Sequence, residues 1–166
     1  MQVDHRYEPT PIKLKIASLD TVDYTVVEAQ YNPRELSFDH AVPWQRREGY
    51  YQYGEQTTGR SLSIEMFFDA FERGDIQDDL DTLEMFANII DPTSYREEKR
   101  RPHHCIVTWG VQSFEPFRCV IENLATKYTM FARDGRPLRA TCSLKLREAN
   151  LLHDEWIKLR KQGIRI

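Results

Sequence analysis

The sequence predicts an α+β fold: a mostly antiparallel sheet, curled into a barrel, with one well-formed helix. Three observations carry this. Apolar residues alternate with a period of two in both halves of the chain. A single long stretch, Asp75 to Ile90, changes to helical spacing. No regular strand–helix–strand alternation calls for a parallel sheet.

Taken in order, Ile12, Leu14 and Ile16 alternate with Lys13 and Lys15, the pattern of a half-buried strand. Val22 to Tyr31 reads as a second strand, stopped at Asn32-Pro33 because proline cannot donate to a ladder. A short strand follows at Leu36-Ser37-Phe38. Ala41 to Gly59 has no helical period and carries Trp44, Tyr50, Tyr51 and Tyr53, so it reads as a long loop or an extended hairpin. From Arg60 to Asp69, Leu62, Ile64, Met66 and Phe68 share one face. The helix follows, with Ile76, Leu80, Leu83, Ala87 and Ile90 in its apolar stripe and Phe86 beside it. Asp75, Asp78 and Asp79 crowd its first turn, where the helix dipole favours negative charge, and the helix stops before Pro92. The second half returns to β: His103 to Trp109, Phe117 to Asn123, and Lys127 to Phe131. A turn at Asp134-Gly135 then leads into the strand Leu138 to Arg147. Asn150 to Lys161 suits a short amphipathic helix, giving a division into residues 1–149 as the main domain and 150–166 as a helical tail.

Size and composition narrow the function. A chain of 166 residues is one ordinary domain, able to bury roughly 70% of its unfolded surface. With 40% apolar and 11% aromatic residues it can build a core. No run approaches the ~18 apolar residues of a membrane span, and MQVDHRYEPT lacks a secretory apolar region. The expectation is a soluble domain synthesised in the cytoplasm, without direct membrane insertion. A net charge of −3 argues against a dedicated nucleic-acid binder. Its distribution is uneven: Leu62 to Tyr95 holds nine acids against Arg73, whereas Arg133 to Ile166 holds nine bases against four acids. These stretches are either solvated faces that compensate within one subunit or complementary patches that meet between subunits.

Little in the sequence points to chemistry. Cys105, Cys119 and Cys142 are odd in number and form no CxxC pair, so neither a disulfide framework nor a zinc site is expected. His103 and His104 precede Cys105, but neighbours on a strand point to opposite faces and do not readily share one ion. The acids around Asp69 to Asp81 lack the spacing of a calcium loop. No phosphate-binding loop, dinucleotide fingerprint, HExxH or GxSxG is present, and neither an enzyme nor a cofactor is expected.

A set of segments in order does carry a resemblance. Tyr31-Asn32-Pro33-Arg34-Glu35-Leu36-Ser37-Phe38 is followed by Leu62-Ser63-Ile64-Glu65-Met66-Phe67-Phe68-Asp69, Arg101-Pro102 and Thr108-Trp109-Gly110. Lys127-Tyr128-Thr129-Met130-Phe131 and Asp134-Gly135-Arg136-Pro137-Leu138-Arg139-Ala140 complete the set. Over about residues 10 to 148 the chain resembles the tube-like domain of contractile injection systems, the phage-tail-like particles. The resemblance implies a β-barrel-like tail-tube fold with its main helix packed outside. It also implies six copies in a ring that joins the spike-bearing hub to the inner tube. Partners implied are the chain itself, the inner-tube protein, the spike or hub protein and baseplate proteins, assembled into a phage-tail-like particle. A repeating inner-tube subunit is the alternative, and a standalone ligand- or metal-binding barrel a third reading.

Two departures from the family pattern stand out. His103-His104 replaces a further proline, and no LysM pattern follows Leu146, so a short member without that module is expected. Two expectations concern assembly. The strand at Leu62 to Phe68 should lie in a sheet continued across subunits. Trp44, Tyr50, Tyr51 and Tyr53 should form an arm that docks on a neighbour, unless they fold back on their own barrel.

Overall fold

The computed structural model describes residues 11–23, 25–40, 44–47, 50–53, 59–96, 99–110 and 115–149, with backbone alone at 44–47 and 50–53. The expected tail at 150–166 lies outside the described residues. The strands are β1 (Lys15–Ser18), β2 (Val26–Glu28), β3 (Leu36–Asp39), β4 (Trp44–Arg47), β5 (Tyr50–Tyr53), β6 (Ser61–Asp69), β7 (Cys105–Thr108), β8 (Phe117–Phe131) and β9 (Pro137–Glu148). The helices are α1 (Ala70–Arg73) and α2 (Gln77–Ala87). Seven strands form one sheet in the order β2-β1-β7-β8-β9-β6-β3, and every pairing is antiparallel. The α+β class and the mostly antiparallel sheet are therefore as the sequence predicts. The sheet is open, with β2 and β3 at its ends and no ladder joining them among the described residues.

The gap is nevertheless spanned. The Gln30 side-chain amide accepts from the Asp69 N–H at 2.8 Å and donates to the Asp69 carbonyl at 3.0 Å. One side chain thus reproduces the paired hydrogen bonds of a ladder rung between the end of β2 and the end of β6. Asn32 does the same two residues later: its Oδ1 accepts from Leu14 N–H and its Nδ2 donates to the Ile12 carbonyl. Pro33 leaves the chain free to cross to β3. Here two amide side chains satisfy backbone groups that no strand reaches.

The core lies on one face. Leu62, Ile64, Met66 and Phe68 of β6 are between 0% and 3% exposed, as their alternation predicts. They pack with Leu14, Ile16, Val107, Phe117, Cys142, Leu144 and Leu146, and α2 seals this face with Leu80, Leu83 and Phe86. Burying each such side chain stabilises the fold by about 1.5–3 kcal/mol. Asp69 accepts from Phe71 N–H to cap α1, and Gly74, at φ 90°, ends it. The helix expected from Asp75 to Ile90 is shorter. Asp75 accepts from Gln77 N–H before its first turn. At its other end the chain turns extended at Asn88, so that Ile89 pairs with Pro102 and Ile90 N–H reaches the Arg101 carbonyl.

Three other boundaries move for identifiable reasons. The second strand shrinks to β2 because the chain turns around the fully exposed Val22, where Ser18 N–H reaches the Thr25 carbonyl. The strand expected from His103 starts at Cys105, since His103 N–H bonds the Phe86 carbonyl and His104 N–H bonds an Asp20 oxygen. The two strands expected at Phe117 and Lys127 are one, β8. Glu122 is the extra residue of a bulge between Ile121 and Asn123. Beyond it the phase flips: Ile121 opposes Leu146, whereas Leu124, Thr126 and Tyr128 oppose Leu144, Cys142 and Ala140. A strict count by two loses the strand at that residue.

Candidate assembly surfaces

Three features reach beyond the core. The first is the excursion between β3 and β6. Asp39 pairs with Ser61, which brings both roots of this segment together. Its ribbon, β4 and β5, forms a separate two-stranded sheet with Trp44 opposite Tyr53, Arg46 opposite Tyr51 and Arg47 opposite Tyr50. The backbone is thus an extended hairpin, one of the two forms the sequence allows. The side chains of Trp44, Tyr50, Tyr51 and Tyr53 lie outside the described structure.

Its root is fixed by a bidentate pair. Arg60 Nη2 donates to Glu148 Oε1 at 2.8 Å, Arg60 N–H donates to Glu148 Oε2 at 2.9 Å, and Glu148 N–H returns to the Arg60 carbonyl. The Arg60 hydrogen bonds hold the Glu148 carboxyl below its usual range. Gly59 makes this join a close one, since a Cβ there would meet Glu148 Cβ at 3.1 Å.

The second feature is the long hairpin of β8 and β9. β8 pairs with β9 from Cys119 to Phe131, but on its other side β7 reaches only Phe117 to Cys119. From Val120 to Phe131 that other edge has no ladder partner among the described residues. Gly135, at φ 86°, allows the turn, and Asp134 accepts from Arg136 N–H. Arg133 and Arg136 project from this tip without an acidic partner among the described residues. β9 spans twelve residues, so the tip and the Arg60–Glu148 root stand ~40 Å apart at opposite ends of one strand.

The third is a groove of about 940 Å³ on the outer face of β6 and β9, roofed by the crossing from Tyr31 to Glu35. Tyr31 packs on Phe67 with ring centroids 5.7 Å apart, and its hydroxyl donates to Glu72. That bond raises the Tyr31 pKa to about 12. Lys145, Glu65, Arg34 and Glu35 border the groove, giving a mixed polar surface.

The residues weighed for chemistry are committed to structure. Cys105 and Cys119 are opposite each other across β7 and β8, both buried and both free thiols. Burial pushes Cys105 up to about 12 and Cys119 well above its ordinary value, so neither is a ready thiolate. Burial also raises Cys142, against a contact with the Thr126 hydroxyl at 3.7 Å. His103 Nδ1 and Ser18 Oγ are 2.8 Å apart, and the ring packs on Phe86. Among the described residues no three His, Cys, Asp or Glu side chains converge as a metal site. The acids at Asp75, Asp78 and Asp79 sit at the start of α2, where Asp79 pairs with Arg73 at 3.2 Å. No described helix is long and apolar enough to cross a membrane.

Sequence reasoning missed the unpaired edge of β8, because nothing in its residues says how far β7 extends. It also missed the paired amides of Gln30 and Asn32, which look like ordinary turn residues. No curated protein matches the chain. The family model described as contractile injection system tube protein matches residues 10–155, and with an open antiparallel sheet, an unpaired edge and an outlying hairpin, the chain belongs to that family.

Proposed function

We propose that the chain forms a six-membered ring joining the spike or hub of a contractile injection particle to its inner tube. The family supplies the broader role, a structural component of such a particle that assembles with itself and with other components. The observation that carries the ring is the edge of β8 from Val120 to Phe131. A strand edge of that length, with Glu122 and Lys127 as its charged residues, is a template for pairing with another chain. In a closed ring of head-to-tail contacts each such edge is covered by the next subunit. β6 is flanked by β3 and β9, so the sheet containing Leu62 to Phe68 continues across subunits through its outer edges. The β4–β5 ribbon serves as the arm, with Trp44, Tyr50, Tyr51 and Tyr53 as interface residues. Residues 1–149 form the tube-like domain and 150–166 a helical extension. The role requires no catalytic residue or cofactor.

Imaging the particle with this protein labelled tests the ring. A single six-fold ring at the hub end is the expected result; a monomer or a three-fold ring overturns it. The family's description as a tube protein favours a second reading, the repeating inner-tube subunit, which predicts many stacked rings in the same image. The arm has its own test. Replacing Trp44, Tyr51 and Tyr53 together by Ala should leave the circular dichroism spectrum unchanged and block assembly, since an interface anchor contributes ~2 kcal/mol or more. Unfolding of the triple variant would assign these aromatics to the subunit's own core.

A further inference from the structure

We propose that the tip of the β8–β9 hairpin docks into an acidic, apolar-floored depression at the C-terminal half of α2 in a second copy of the chain. This rests on the self-assembly reading above and adds to it the two surfaces that meet.

The donor surface combines charge with exposed apolar area. Arg133 and Arg136 flank the Asp134-Gly135 turn, and neither has an acidic partner among the described residues. Phe131, 57% exposed, stands beside them. Cationic and aromatic groups side by side at the end of a stiff two-stranded ribbon are the chemistry of an interface anchor.

The acceptor is complementary in both respects. Asp81 and Glu84 lie on the solvent side of α2, with Met85, Ile89 and Ile90 exposed next to them. These residues line a shallow depression of about 280 Å³. An apolar cavity of ~150 Å³ admits benzene, so the space is ample for the Phe131 ring. Asp81 accepts from the Gln77 amide at 2.7 Å, and neither Asp81 nor Glu84 pairs with a Lys or Arg among the described residues. Their own helix does not satisfy them either: α2 carries no Lys or Arg, and Arg73 at the end of α1 is paired with Asp79.

Donor and acceptor are different patches of one chain, so the contact is head-to-tail and propagates around a ring or along a file. The opposite charge of the Leu62–Tyr95 and Arg133–Ile166 stretches thereby becomes intermolecular complementarity, which orients the encounter and disfavours wrong registers.

Charge reversal in the full chain tests this. Two double variants, Arg133→Glu with Arg136→Glu and Asp81→Lys with Glu84→Lys, and their quadruple combination are compared with wild type by sedimentation velocity. Circular dichroism verifies folding of each. Either double reversal should weaken association at least tenfold, and the quadruple variant should regain most of it. Wild-type association should also weaken as salt rises. Unchanged association in the double variants, no recovery in the quadruple variant, or a salt-independent wild type overturns the contact while leaving the ring intact. Should a reversal unfold the chain, the milder pair Arg133→Gln and Glu84→Gln takes its place, with a smaller loss expected and no loss overturning the contact. A wild-type chain that stays monomeric at every concentration overturns the ring reading and this contact with it.

Discussion

β6 and the outer half of β8 lie on either side of β9, and both alternate apolar with polar residues. On β6 the inward residues lie in the buried core cluster that also contains Leu80, Leu83 and Phe86 of α2. On β8, Tyr128 opposes Ala140 on that same sheet face, yet remains 41% exposed, and Phe131 reaches 57%. The difference is coverage, not pattern. β7 begins at Cys105, opposite Cys119, so it does not reach the outer half of the hairpin. Period two in a sequence identifies a strand; what covers its apolar face is set by elements elsewhere in the chain.

The largest contrast between the two strands should appear in core truncation. Phe68→Ala on β6 removes a fully buried ring and should cost about 3–5 kcal/mol in denaturant unfolding. Phe131→Ala on β8 should change stability by about 0.5 kcal/mol or less. Equal losses would mean that the outer hairpin belongs to the packed core and that the contrast is wrong.

A smaller effect is expected where β6 hands over to the hairpin. Asp69 caps α1 through Phe71 N–H, and its Oδ2 accepts from Arg139 Nε at 2.8 Å. The Asp69→Ala variant loses both and should be less stable by about 1–3 kcal/mol, seen as a lower urea midpoint at unchanged slope. Gln30→Leu, which removes the side-chain rung to the same residue, should cost about 1–2 kcal/mol. In Gly135→Ala the left-handed turn at the free end is strained by about 1–2 kcal/mol. If Gly135→Ala exceeds Asp69→Ala in a thermal melt, the hairpin tip contributes more to folding than its exposure implies.

Acid should distinguish the regions last and least. Burial lowers the His103 pKa from 6.5, so its neutral form is the one that folds. That contribution is present above pH 6.5 and is lost as pH falls from there towards the lower folded value. At lower pH the carboxyls follow. Burial opposes the charge on Asp20, but bonds from Arg101 and from His104 N–H outweigh it and keep the group acidic. Glu148, lowered by Arg60, behaves alike, and both lose their contribution as pH drops through their folded values. Melting temperatures of wild type and His103→Gln should therefore diverge just below pH 6.5, with wild type falling faster. Parallel curves would remove His103 from the acid response.

How legible was this in the sequence? The inward set of β6, the acidic start of α2 and the Asp134-Gly135 turn follow from spacing and residue chemistry alone, and each is where that chemistry puts it. β8 was split at Leu124 because one bulged residue, Glu122, reverses the alternation without changing composition. The end of α2 was misplaced because Ile90 fits the helical stripe, whereas its N–H is taken by Arg101 from a distant segment. Of the candidate assembly surfaces, the β4–β5 ribbon was legible as one of two forms. The unpaired edge of β8 was not, since it is defined by the length of β7.

The position of β9 has a mechanical consequence. It is bonded to β6 through nine residue pairs and to β8 through eleven, over nearly its whole length. Pulled along its own direction, β9 would load those two ladders in parallel, and many bonds would have to shear together before any slipped. β2, three residues long and bonded on one side, would instead peel one bond at a time. Force entering at the Arg133–Arg136 tip would run down β9 to the Arg60–Glu148 clasp and bypass the weak end of the sheet. A subunit wired in this way carries tension through its stiffest strand, which suits a part that must stay folded while the machine around it contracts.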